Sequence, residues 1–186
     1  QLLDYNFTLL GDQQGELVNP TSDSPQFYNN FDIIQASNES SYLVFSEQEL
    51  LIAFNLFIQK FNSLGSTVFA DPIQLTFNLM ADENIRSIHD ISNQGLMIVF
   101  DSESWLTGKQ VKLIAVDYNG NILNGWDGGV DICNYEGADK KFLASVNTDT
   151  GVFVLWNDSR GDGDDIYGQM IDLDGNILGD IDGIPI

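Results

Sequence analysis

Basic residues are scarce in this chain: seven Lys and Arg stand against 28 Asp and Glu among 186 residues, a formal charge of −21. Nucleic acid and anionic lipid are held through basic footprints that release counterions, so neither is an expected partner. Such acidity keeps a protein soluble and attracts cations, which suits an extracellular setting rich in divalent ions; surface carboxylates that merely hold water fit it equally. Cysteine is nearly absent too. Cys133 is the only one, which excludes an intrachain disulfide and leaves stability to sheet packing. Its context, Val130-Asp131-Ile132-Cys133, predicts a buried, inert thiol. His89 is the only histidine, and no serine lies in a recognisable nucleophile elbow, so no catalytic residues are assigned and the chain is expected not to be an enzyme. Acidic pairs do not change this, because 28 acidic residues make pairs inevitable. No apolar run approaches the roughly 18 to 20 residues of a membrane helix, so membrane insertion is not expected. The first residue is Gln1 with no basic n-region, which predicts a removed leader or a longer parent chain.

What is present is a repeat. Tyr42-Leu43-Val44-Phe45, Met97-Ile98-Val99-Phe100 and Phe153-Val154-Leu155-Trp156 are apolar runs, each followed by a glycine turn at Gly65, Gly120 and Gly175, giving a period of about 55 residues. In the last repeat Lys141 to Val146 alternates, Thr148-Asp149-Thr150-Gly151 turns, and Val152 to Trp156 is apolar throughout, as a strand buried on both faces requires. A polar loop follows, then a strand over 165–171, a tight turn over 172–176 and a fourth strand over 177–184. Gln48 to Phe61 has a helix-like composition, but its place in the repeat predicts a loop and third strand. Gln1 to Asp12 matches the segment from Gln169 to Asp180, so the chain starts mid-repeat. The expected fold is all-β: one β-propeller-like domain over 1–186, with a half repeat over 1–20 and four-stranded antiparallel repeats over 27–76, 85–133 and 141–186. A flat β-solenoid or a pair of sandwiches is the alternative.

Trp156-Asn157-Asp158, Ile166-Tyr167-Gly168-Gln169 and Asp172-Leu173-Asp174-Gly175 resemble repeats of secreted and cell-surface β-propeller-type proteins. Those repeats read glycine, apolar strand, Trp-x-Asp, a Gly/Asp loop, Ile-Tyr-x-Gln, then Asp-x-x-Gly. Phe100-Asp101 and Phe45-Ser46 replace Trp156-Asn157 in the earlier repeats. The resemblance implies an extracellular propeller-like module and carries no catalytic set.

The half repeat poses a closure problem. Leu2, Leu3, Tyr5, Phe7, Leu9 and Leu10 are too apolar to leave in water, and an unpaired strand edge invites association. They are the predicted assembly residues. Either the missing strands lie elsewhere in a longer chain, or the segment joins a sheet of a neighbouring copy, giving a homo-oligomer or filament by strand exchange.

Candidate ligand sites are few. Asp172, Asp174, Asn176 and Asp180 have oxygen side chains at a spacing that wraps calcium, although Asp-Gly-Asn is also tight-turn chemistry; no other cofactor is expected. Asn6, Asn38 and Asn157 fit the N-glycosylation pattern. Arg160-Gly161-Asp162 matches the tripeptide read by integrins, three residues that arise easily by chance. Trp105, Trp126 and Tyr135 are candidates for an aromatic glycan-binding face, against ordinary core packing. The sequence thus predicts a secreted structural or adhesive building block that polymerises by strand exchange, with a glycan- or ligand-binding module cut from a larger surface protein or enzyme as the alternative.

Overall fold

The computed structural model describes residues 2–3, 9–10, 28–49, 53–91 and 93–186. Two short strands, β1 (Leu2–Leu3) and β2 (Leu9–Leu10), pair antiparallel, Leu2 with Leu10 and Leu3 with Leu9. Tyr5 and Phe7 lie outside the described residues. Three four-stranded antiparallel sheets follow among those residues. The first holds β3 (Tyr28–Gln35), β4 (Ser41–Glu49), β5 (Ala53–Phe61) and β6 (Ile73–Gln74). The second holds β7 (Ala81–Ile91), β8 (Gly95–Ser104), β9 (Gly108–Val116) and β10 (Val130–Asp131), and the third β11 (Lys140–Thr148), β12 (Gly151–Asp158), β13 (Asp165–Asp172) and β14 (Ile184–Pro185). In each, every strand pairs with its neighbour in the chain. The chain is therefore all-β, and its described sheets close into neither a barrel nor a complete propeller.

The described parts of the helix-like segment are strand: Gln48 and Glu49 end β4 rather than opening a loop, and Ala53–Phe61 forms β5, the expected third strand. The fourth strand of the last sheet is shorter than the sequence predicts. Ile177 makes only an isolated bridge to Ile171, and regular pairing resumes at Ile184. Glycines explain why between those points: Gly179 and Gly183 have φ of 145° and 87°, and left-handed backbone interrupts a ladder.

Two local devices repeat. The first strand of each sheet has a register shift, between Tyr28 and Phe31, Ile85 and Ser87, and Phe142 and Ala144, the extra residue of a bulge that bends a strand. The third strand ends in one turn built three times. Asn62, Asp117 and Asp172 each accept, through one side-chain oxygen, backbone N–H groups two and four residues on, at 2.8–3.1 Å. The turn glycine, Gly65, Gly120 or Gly175, has φ of 82–84°, where a Cβ is disfavoured. Glycine also opens β8 and β12 because a Cβ on Gly95 or Gly151 would lie 2.0 Å from the carbonyl oxygen of Val116 or Ile171.

The sheets lie in series, the first against β7 and the second against β11. One continuous core runs through them, with Tyr42, Val44, Leu56 and Ile58 in the first sheet, Leu96 to Phe100 and Leu113 to Val116 in the second, and Val152, Val154 and Trp156 in the third. Trp126 is buried among them at 1% exposure, so of the three aromatic candidates it is a core residue.

Candidate functional site

The two seams between sheets consume most of the unusual polar chemistry. In the first, Asp90 accepts from the Ser37 N–H at 2.8 Å and from the Tyr118 hydroxyl at 2.5 Å. Tyr42 OH and Lys60 Nζ both donate to the Tyr118 carbonyl, at 2.9 and 3.0 Å. Farther along, the Ile88 N–H donates to Asp32 at 3.2 Å and the Phe54 N–H to Asp82 at 3.2 Å. Glu83 is buried there, and burial pushes its carboxyl up from the usual range against hydrogen bonds from Thr76 and Asn78 and the charge of Lys112.

The second seam brings together residues that the sequence leaves apart. Ser145 Oγ lies 2.7 Å from His89 Nε2 and 2.6 Å from Ser87 Oγ, and Asn147 Nδ2 donates to the Asp90 carbonyl at 3.0 Å. Burial pushes the His89 imidazole below its ordinary pKa, opposed by a hydrogen bond with Asn147 and the charge of Asp32. A serine on histidine invites a nucleophilic reading. The same cluster ties β7 to β11. Lys140 is completely buried and donates to Gln110 Oε1 at 2.8 Å and to the Tyr135 carbonyl at 2.7 Å.

Arg160 belongs to the same side of the seam. Its guanidinium pairs with Asp158 at 2.5 Å, donates to Cys133 Sγ at 3.2 Å, and stacks over the rings of Tyr135 and Tyr167, 4.5 and 3.9 Å from their centroids. Burial would raise the Asp158 carboxyl, but bonds from Arg160 and from Trp156 Nε1 hold it low. Arg160 of the Arg-Gly-Asp tripeptide is thus committed within the fold. Cys133, as expected, is buried; its thiol donates to the Asp182 carbonyl at 3.2 Å. The scarce cations work inside as well, with Arg86 and Lys109 both on Asp101 at 2.6 and 3.1 Å.

Of the predicted calcium residues, Asp172, Asp174 and Asn176 form one turn and Asp180 opens the next. Both Asp172 oxygens are engaged, one by the amides of Asp174 and Asn176 and one by Asn176 Nδ2 at 3.0 Å. Asp180 accepts from the Asp182 N–H at 3.0 Å. Among the described residues no group of three His, Cys, Asp or Glu is arranged to hold a metal ion. Asn38 is exposed in the β3–β4 turn, with Nδ2 donating to Tyr42 OH at 2.8 Å. Asn157 is half-buried on β12, and Asn6 lies outside the described residues.

Two cavities and two sheet faces remain. A groove of about 910 Å³ lies on the second sheet beside the β10–β11 connection, walled by Lys112, Gln110, Asp131, Asn134, Tyr135 and Glu136 among others. Trp105, between the lining residues Ser104 and Leu106 in the chain, is 79% exposed. A smaller cavity of about 410 Å³ includes Asp90, Asn147 and Thr148. The sheet faces are apolar. On the first sheet Phe31 and Ile33 are 73% and 54% exposed, and on the third Val146, Ile166 and Ile184 are 56%, 43% and 45% exposed. Sequence reasoning placed the sticky surface at the N-terminal segment and missed these faces, although the alternating apolar residues of 141–146 signalled one of them.

No family model, curated protein or solved structure matches the chain. Among the described residues no helix is long and apolar enough to cross a membrane.

Proposed function

We propose that this chain is a non-enzymatic structural or adhesive module of the cell exterior: an arc of a β-propeller whose function is to assemble. The observation that carries the reading is the exposed apolar side chains at opposite ends of the described sheet series, Phe31 and Ile33 on the first sheet and Val146, Ile166 and Ile184 on the third, since exposed apolar surface marks interaction sites. Meandering four-stranded sheets packed in series by their first strands support blades around an axis. The acidic surface and the Asn38 and Asn157 patterns support an extracellular location. Association proceeds through the terminal strands, through the open faces, or through both. Electron microscopy of the native material with light scattering tests it: regular oligomers or filaments are the expected result, and particles with the mass of one chain at all concentrations would overturn it. Removing residues 1–19 tests the terminal route, because assembly that survives the deletion does not use strand exchange.

The groove lined by Tyr135, Asn134 and Gln110, with the exposed Trp105 on the connection between its lining residues Ser104 and Leu106, favours a second reading, a glycan-binding module, since aromatic rings beside amide side chains suit sugar faces and hydroxyls. Glycan-array binding that Trp105→Ala abolishes is its expected signature.

A further inference from the structure

The chain itself shows, twice, how one face of such a sheet is covered. Directly opposed residues of antiparallel strands share a face. In the first sheet Asp32 opposes Val44 and Ile34 opposes Tyr42; this face meets the second sheet, where the Ile88 N–H reaches Asp32. In the second sheet the equivalent positions, one and three residues before Phe100, are Val99 and Met97, opposed by Ser87 and His89. That face meets the third sheet, where Ser145 reaches Ser87 and His89. Val99 and Met97 are completely buried as a result.

In the third sheet the equivalent positions before Trp156 are Leu155 and Phe153, opposed by Ala144 and Val146. Among the described residues no further sheet packs on them. Leu155 and Phe153 are half-exposed, Val146 is 56% exposed, and Ile186, whose side chain lies beside Gly168 with those of Phe153 and Leu155, is 74% exposed. At the other end, the opposite face of the first sheet carries Phe31 against Phe45 and Ile33 against Leu43; Phe31 and Ile33 are exposed there, Leu43 is half-buried and Phe45 is buried. The same face of the second and third sheets, with Ile88 against Ile98 and Ser145 against Val154, is the one that receives the preceding sheet.

We infer that a second copy of this chain docks its first-sheet face, Phe31, Ile33 and Leu43, onto the third-sheet face, Val146, Phe153 and Leu155, continuing between chains the packing already made twice within one. The inference rests on the assembling-module reading and names its surface. The two patches differ, so the contact is heterologous, giving a ring where the rotation closes and a filament where it does not. Each copy carries a formal charge of −21, so copies repel at long range. Screening removes that repulsion and leaves the apolar contact, so association strengthens with salt.

The test is sedimentation and light scattering of the intact chain at 0.02, 0.15 and about 1 M NaCl, with Ile33→Asp and Val146→Asp variants. The expected result is a wild-type mass of two chains or more that grows with salt, and a one-chain mass for either variant with unchanged circular dichroism. Mixed one to one, the variants should form a two-chain complex, because each retains the face that the other has lost. Ile184→Asp is a second third-sheet variant should Val146→Asp fail to fold. Wild-type protein that stays a single chain under every condition overturns this inference together with the assembling reading. Oligomers that persist in both folded variants, or a mixture that stays monomeric, overturn the docking surface alone.

Discussion

The second strands of the middle and last sheets are built from near-equivalent residues and have different fates. In β8 every residue from Gly95 to Ser102 is buried, whereas β12 alternates, with Val152, Val154 and Trp156 buried and Phe153, Leu155 and Asn157 half-exposed. Leu96 to Phe100 and Val152 to Trp156 are apolar throughout, the pattern of a strand covered on two sides. Among the described sheets the middle one has a neighbour on each side and the last has one. Composition therefore records the environment for which a strand is suited, and the open face of β12 is the place where suitability and surroundings disagree.

Core truncation breaks the comparison most strongly. Phe100→Ala, in the fully covered strand, is expected to cost about 3 to 5 kcal/mol of unfolding free energy, while Phe153→Ala on the open face should cost under about 1.5 kcal/mol in the monomer. Urea denaturation monitored by circular dichroism measures both, and equal losses would show that Phe153 is covered in solution. Lys140→Ala ranks next. It strips a buried cation from the seam and leaves the Gln110 and Tyr135 acceptors unmet, so a loss of about 2 to 3 kcal/mol is expected in the same assay.

Two titrations separate the seams. Burial lowers the His89 pKa, so the unfolded state binds its proton first as pH falls below about 6.5, and stability is lost on acidification through that window. His89→Gln should flatten the dependence in melts from pH 7.5 to 5.5. Glu83 has the opposite sign: its folded pKa is raised, so its burden is absent at low pH and grows as pH rises past about 4.5. Glu83→Gln is then expected to raise the melting temperature at pH 7 and to change little at pH 4. The smallest effect concerns the open face. A glycan on Asn157 would leave monomer stability nearly unchanged yet obstruct docking, which mass spectrometry and light scattering of glycosylated and enzymatically deglycosylated protein would reveal.

Much of this fold is legible in the sequence for local reasons. The period, the strand composition and the Asp172-type turn follow from spacing, side-chain shape and the positive φ of Gly65, Gly120 and Gly175, all set within a few residues. Even the apparent helix at Gln48 to Phe61 yields to the repeat, because β5 needs a partner for β4 in every unit. The site was less legible. His89 looked solitary because its partner, Ser145, is 56 residues away, and Trp126 stayed open between a binding face and the core because its loop gives no sign of the seam that buries it.

The sequence by itself determined an acidic, cysteine-poor series of antiparallel sheets with identical turns, since hydrophobic alternation and glycine chemistry act locally. Only the tertiary structure decided that Arg160 is clamped between two tyrosines, that His89 and Ser145 meet, and which apolar faces are covered. Those outcomes depend on which sheet lies beside which, and burial is a property of neighbours rather than of any residue alone.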